Sequence, residues 1–345
     1  VLGSALMVHH REAGRLMEAE ISDQVSVLRG ILVDGIQEIS NIARAVGPLN
    51  GRLLTFSGRG SSGNAARYAA YLAEVALGVP TSFASPSVTT VFQRRMDQRH
   101  VVHIVASQSG RSTDLIETLT AAREQGAVTI ALTNDPSSPL AQAAHFSADL
   151  RARPESAVAA TKSYTAELLA YYLLLDCWRT TGPRGVGNLL DAIEAASDLS
   201  WPEVLASRLS SASRVILTAR GFALATAREA ALKVTETTAL STHALSAAEL
   251  MHGPIAMAGP QTAVVTIGPG TDEAAQAARD RGSQVHRLSH HADGPDALVL
   301  PIANNAELAP LSEIIPLQRA AYLLAIARGE DPDVPYGLTK VTATR

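Results

Sequence analysis

Short apolar runs alternate along this chain with longer alanine-rich stretches whose apolar positions recur every three to four residues. The runs Leu53 to Phe56, Val101 to Ala106, Val128 to Leu132, Val215 to Thr218, Ala263 to Ile267 and Ala297 to Leu300 read as buried strands, and the stretches between them as helices. Strand and helix in alternation is the pattern of βαβ units, so the expected fold class is α/β, built on doubly wound parallel sheets.

The pattern repeats. Arg59-Gly60-Ser61-Ser62-Gly63-Asn64-Ala65-Ala66-Arg67 aligns with Arg220-Gly221-Phe222-Ala223-Leu224-Ala225-Thr226-Ala227-Arg228 at a constant offset of 161 positions (59 to 220, 67 to 228), and each copy follows a strand run. Thr113-Asp114 with Ala121 to Gly126 is echoed by Thr271-Asp272 with Ala277 to Gly282. Two copies of one domain are expected, with a linker between Gly182-Pro183-Arg184-Gly185 and Trp201-Pro202. The expected division is a helical segment over 1–34, a first domain over 35–190, a second over 200–330 and a tail over 331–345.

Composition fits this picture and removes other classes. The 345 residues are 46% hydrophobic and 18% charged, enough to bury two cores, and a length near twice that of one α/β domain favours two. A net charge of −4 without a basic run makes nucleic acid a poor partner. No stretch approaches the roughly 20 apolar residues of a membrane span, and Val1 to Val8 is too short for a leader and lacks its basic start. The single cysteine, Cys177, excludes an intramolecular disulfide and a cysteine-built metal site; it lies in the apolar run Tyr171 to Trp178 and reads as a buried hydrophobe. A cytoplasmic protein is expected.

Two loops at strand-to-helix turns invite chemistry. Gly58-Arg59-Gly60-Ser61-Ser62-Gly63 satisfies G-x-G-x-x-G, yet Val79 to Thr90, the next strand and its exit, carries no acid to hold a ribose, so a dinucleotide is disfavoured. Ser107-Gln108-Ser109-Gly110-Arg111-Ser112-Thr113 places four hydroxyls in seven residues where a helix begins. Free backbone N–H groups and the positive end of the helix dipole favour an anion there, and a phosphate monoester suits the loop better than N-capping alone, which accounts for one hydroxyl. The counterpart Gly268-Pro269-Gly270-Thr271-Asp272 lacks the serines and carries an acid, so one phosphate per chain is expected.

Glu229, Lys233 and Glu236 follow at spacings of four and three, near one helix face, where spacing alone reads as a surface salt-bridge ladder. His252 precedes Gly253-Pro254, where the backbone turns and a side chain can be presented; a capping or core histidine fits the position equally. The remaining histidines, including His9-His10, His243 and His290-His291, lack metal-ligand spacing, so neither metal nor cofactor is expected.

These residues resemble the sugar isomerase (SIS) domain family in its double-domain arrangement, as in the isomerase half of glutamine–fructose-6-phosphate aminotransferases. The resemblance runs from Met17-Glu18-Ala19-Glu20-Ile21-Ser22-Asp23-Gln24 through Ser107-Gln108-Ser109-Gly110, Val158-Ala159-Ala160-Thr161-Lys162-Ser163, Glu229 to Glu236 and Glu249-Leu250-Met251-His252-Gly253-Pro254 to Leu338-Thr339-Lys340-Val341-Thr342. It implies two tandem SIS domains, each a flavodoxin-like three-layer α/β/α sandwich. It also implies that Gly60, Ser61, Ser62, Ser107, Gln108, Ser109 and Ser112 hold the phosphate and near end of an open-chain sugar, with backbone contacts from Val158 and Ala159. Glu236 would move a proton between C1 and C2, Lys233 would stabilise or protonate nearby oxygens, and Lys340 matches a Schiff-base lysine. His252 would open the sugar ring, reaching the site from a neighbouring subunit in a homodimer.

Departures from the aminotransferases refine this expectation. No cysteine precedes Cys177 to serve a glutaminase, and Arg59-Gly60-Ser61-Ser62 stands where those enzymes have Cys-Gly-Thr-Ser. That loop, with Ala84-Ser85-Pro86-Ser87-Val88 and Ala159 to Lys162, is closer to SIS-type glucosamine-6-phosphate deaminases. His243 stands where the synthases usually have a glutamate. The expected activity is deamination of glucosamine 6-phosphate to fructose 6-phosphate. A tagatose- or galactosamine-phosphate isomerase-deaminase, a fructosamine-6-phosphate deglycase and a non-catalytic sugar-phosphate sensor are the alternatives.

Overall fold

The computed structural model describes residues 13–179, 186–291 and 297–340. The opening run Val1 to Val8, His9-His10, the Gly182 to Gly185 linker and the tail from Val341 onward lie outside the described residues. The chain divides into two compact units. The first comprises Gln24–Glu155 and Lys162–Val186; the second comprises Ser156–Thr161 and Gly187–Lys340 with the leading residues up to Asp23.

In the first unit, β1 (Leu53–Ser57), β2 (Thr81–Phe83), β3 (Val101–Ala106), β4 (Val128–Thr133) and β5 (Phe146–Asp149) form a wholly parallel sheet in the order β2-β1-β3-β4-β5. Leu53 pairs with Val101 and Val102 with Val128, so the apolar runs stack side by side at the centre. Strands buried on both faces need mostly apolar sequence, and β1, β3 and β4 have it, interrupted by Thr55 and Ser57, by His103, and by Thr129 and Thr133 respectively. Against this sheet lies helix Gly60–Leu77, whose Ala65, Ala66, Ala69 and Ala73 are buried and let helix Lys162–Arg179 pack closely on it. Tyr171 from that second helix meets Phe56 edge to face, with ring centroids 5.8 Å apart.

The second unit repeats the plan. Its strands are β6 (Arg214–Ala219), β7 (Ser241–Ser246), β8 (Thr262–Ile267), β9 (Gln284–Ser289) and β10 (Ala297–Val299), all parallel in the order β7-β6-β8-β9-β10. The duplication read from the loops is therefore a duplication of topology. Three strands escaped the sequence reading, each for a physical reason, while β2 falls within the strand and exit read over Val79 to Thr90. β5 (Phe-Ser-Ala-Asp) and β7 (Ser-Thr-His-Ala-Leu-Ser) are edge strands with polar positions, and β9 (Gln-Val-His-Arg-Leu-Ser) mixes polar with apolar instead of running apolar.

Helix Arg15–Ser22 of the second unit starts at Gly14, which has φ +76° and no side chain to cap the helix. The caps come from the far end of the chain. Asp331 Oδ1 accepts the Gly14 N–H at 3.0 Å, and Asp333 accepts those of Leu16 and Met17 at 2.9 and 2.8 Å. A Cβ at Gly14 would lie 2.5 Å from the Tyr322 ring, so glycine also permits the close approach. Among the described residues, no helix is long and apolar enough to cross a membrane.

Both sheets are wound from an inner strand outward in two directions, β1 against β3 and β6 against β8. At such a switch point the loops leaving the carboxyl ends of neighbouring strands part and leave a crevice, the usual ligand position of open α/β sheets.

Candidate active site

In the first unit the β1 and β3 loops flank the switch point. Gly58 and Gly63 explain the G-x-G-x-x-G pattern sterically: a Cβ on Gly58 would sit 2.4 Å from the Ser62 carbonyl oxygen, so the helix can start this close to the strand only with glycine. Gly60 takes φ +52° at the first helical position, and Ser61 and Ser62 are buried behind it. In the β3 loop, Gly110 has φ +61°, and a Cβ there would fall 2.1 Å from Ser138 Oγ. The Gln108 carbonyl accepts the Asn134 N–H at 3.1 Å, which ties this loop to the end of β4.

Hydrogen-bond roles separate the serines. Ser107 Oγ accepts the Gly110 N–H at 3.2 Å and Ser109 Oγ accepts the Arg111 N–H at 3.3 Å, so each hydroxyl proton is left to donate. Ser112 is the N-cap of helix Thr113–Glu124, yet its side chain makes no capping bond, so ordinary capping does not account for it. Ser62 Oγ differs. It donates to Glu167 Oε1 at 2.7 Å, inside the protein, which leaves its lone pairs rather than its proton for a ligand. Glu167 is a buried carboxylate in an otherwise apolar stretch of helix Lys162–Arg179, and its isolation there is the only signal the sequence gives of it.

His103 lies within β3, in register with Thr55 of β1. Its Nε2 is 2.7 Å from Ser57 Oγ, and burial drives its pKa down to about 4, so the ring is neutral at neutral pH. Cys177 is half-buried, with Sγ 3.5 Å from Ser40 Oγ, and burial raises its thiol pKa.

The second unit holds the charged residues. Lys233 Nζ lies 2.5 Å from Glu236 Oε2 and 3.5 Å from Glu229 Oε1. The Lys233 and Glu229 side chains have 0% exposure while Glu236 keeps 24%, which removes the surface-ladder reading. One ammonium is clamped between two carboxylates, and only one of these is open to a ligand. That pair can abstract a proton and stabilise the oxyanion formed beside it.

His252 ends helix Ala247–Met251, which a Ser246–Glu249 capping box starts. Gly253 follows with φ +132° and Pro254 after it, and the imidazole is exposed with no hydrogen bond to another described residue. In the Ser156–Thr161 segment the Val158 N–H is given to the Asp333 carbonyl at 3.2 Å, so Val158 has only its carbonyl to offer, and Ala159 is buried. Lys340, partly buried, is the last described residue. The structure thus gathers Ser61, Ser62, Ser107, Gln108, Ser109 and Ser112 around the β1 and β3 loops of one unit, and Lys233 with Glu236 on one helix of the other. It shows no bond from His252 to that pair.

The family described as "SIS domain" matches residues 51–176 and 208–326, that is, both sheets. A glutamine–fructose-6-phosphate aminotransferase (isomerizing) of Methanothermobacter thermautotrophicus is 30% identical over 98% of this chain, which spans 59% of that protein's length. A crystal structure designated a phosphosugar isomerase, from Silicibacter pomeroyi, superposes with a TM-score of 0.82 at 31% identity, covering 92% of this chain and 99% of that one. The fold is shared also by a glucosamine-6-phosphate deaminase of Thermotoga maritima, with a TM-score of 0.76 at 21% identity over 95% and 100% of the two chains.

Proposed function

This chain belongs to the SIS domain family, and from that premise we propose that it is an aldose–ketose isomerase of a phosphorylated amino sugar, converting glucosamine 6-phosphate into fructose 6-phosphate and ammonia. The observation that carries the reading is the Glu236–Lys233 pair, a partly open carboxylate against a wholly buried ammonium. The Ser107 to Ser112 loop, with two serines whose protons remain to donate, supports the phosphate assignment.

The chemistry follows from those groups. In the open-chain amino aldose, the Glu236 carboxylate takes the proton from C2, and the electron pair shifts to give an enolamine whose O1 develops negative charge. Lys233 stabilises that oxygen. Protonation of O1 and return of the proton to C1 leave an iminium at C2, which water converts to the ketone with release of ammonia and a proton. Ring opening falls to His252, whose exposure fits its presentation to a neighbouring copy in a cytoplasmic homodimer. Lys340 serves as the tail's cation toward the sugar.

Ammonia release from glucosamine 6-phosphate, galactosamine 6-phosphate and a 6-phosphorylated fructosamine tests the proposal. Glucosamine 6-phosphate is expected to turn over fastest, with fructose 6-phosphate as product. Absence of ammonia from all three would refute the deaminase.

A further inference from the structure

Arg59 stands at the head of helix Gly60–Leu77 on the β1 loop, and Asp114 in the first turn of helix Thr113–Glu124 on the β3 loop. Arg59 Nε and Nη2 both donate to one oxygen, Asp114 Oδ2, at 2.8 and 2.5 Å, while Asp114 Oδ1 accepts the Leu115 N–H at 2.9 Å. The Asp114 side chain is 3% exposed and that of Arg59 52%.

A guanidinium offers its N–H groups along a rigid plane with more than one edge. Asp114 occupies the Nε–Nη2 edge. Nη1 takes no part in this pairing, so the pairing fixes the guanidinium plane and leaves its Nη1–Nη2 edge unused, on a side chain that is half exposed and belongs to the β1 loop. Fork-shaped donors of this kind match phosphate oxygens in pairs.

The charges of the loop require such a partner. Asp114 puts a buried carboxylate at the very helix end whose dipole favours an anion, and an uncompensated carboxylate would repel a phosphate dianion there. The β3 loop's own cation, Arg111, points to Asp135 at 3.0 Å. Ser107 and Ser109 bring neutral donors only. Arg59 reaches the first turn of this helix through its pair with Asp114.

We propose that Arg59 is a further phosphate-binding residue, gripping Asp114 with one edge of its guanidinium and the phosphate of the sugar ester with the other. The assignment rests on the phosphosugar reading above. Its expression in the sequence is the arginine of Gly58-Arg59-Gly60-Ser61-Ser62-Gly63, and Asp114 lies 55 positions further on.

Calorimetric binding of fructose 6-phosphate tests it, with melting curves of the unliganded variants as a check on folding. Arg59→Gln is expected to weaken binding by about tenfold to a hundredfold, the range for hydrogen bonds to a charged group. The double variant, Arg59→Gln with Asp114→Asn, decides the role. If it stays weak, Arg59 binds the phosphate; if it regains wild-type affinity, Arg59 only neutralises Asp114 and the proposal falls. Arg59→Lys keeps the charge beside Asp114 without the second edge, so it is expected to fold and bind weakly, and it decides the matter should Arg59→Gln not fold. Wild-type affinity in Arg59→Lys, with Ser109→Ala weakened, would overturn the Arg59 assignment alone. Failure of the wild type itself to bind would remove the phosphosugar reading and this assignment with it.

Discussion

A lysine with no exposed surface is costly unless its charge is matched, and Lys233 has two carboxylates within 3.5 Å. Replacing it by Met would leave Glu229, equally buried, without its ammonium, and breaking a buried pair in this way typically costs about 3–5 kcal/mol. Urea unfolding of Lys233→Met is expected to show a loss of that order, partly recovered by adding Glu229→Gln; an unchanged midpoint would mean that the ammonium is not buried as described. His290 of the second unit gives a pH dependence of known sign. Its Nδ1 faces the Pro301 carbonyl at 3.1 Å and its Nε2 faces Glu313 Oε1 at 3.0 Å, two acceptors that both want a proton. The Glu313 hydrogen bond raises its pKa above 6.5, against the opposing effect of burial. A folded pKa above the unfolded one stabilises the protein fully below the unfolded value, and the contribution fades as pH rises through the folded value. The difference in melting temperature between wild type and His290→Gln is therefore expected to be largest below pH 6.5 and to shrink on the alkaline side. A difference that widens with rising pH would contradict the pairing.

At the scale of elements, the central strands were legible because a strand covered on both faces needs a mostly apolar run, which Val101 to Ala106, broken only by His103, and Thr262 to Ile267, broken only by its two threonines, provide. Edge and mixed strands such as Ser241–Ser246 and Gln284–Ser289 carry no such signature. The serine loop, and the phosphate expected at it, were legible by hydroxyl density. The pairings of the β1 loop were not, because the partner of Ser62 lies 105 residues away and that of Arg59 lies 55 away. Helix Arg15–Ser22 makes the same point, since its caps are 317 residues distant. Removing a side-chain cap typically costs about 0.5–2 kcal/mol. Asp333→Ala withdraws two accepted N–H bonds at once, so a loss near the upper end of that range is expected in urea unfolding; a loss near zero would show that water replaces the cap.

For the whole molecule, one fold has been used twice, and the proposed phosphate loop stands in one copy. In its counterpart the polar groups are taken within the second unit: Thr271 Oγ1 donates to the Gly268 carbonyl at 3.0 Å and Asp272 pairs with Arg287 of β9 at 2.7 Å. One bound fructose 6-phosphate per chain is therefore expected by calorimetry, and two equivalent sites would contradict the division of labour between the units. The central claim is that Glu236 carries a proton between C1 and C2. Its most direct test is the exchange of the C1 hydrogen of fructose 6-phosphate with solvent in D2O containing ammonium, which supplies the C2 imine, followed by NMR for wild type and Glu236→Gln. Wild type is expected to exchange that hydrogen, and Glu236→Gln to bind the ester while exchanging about 10²–10⁴ times more slowly. Undiminished exchange in Glu236→Gln would show that another group moves the proton.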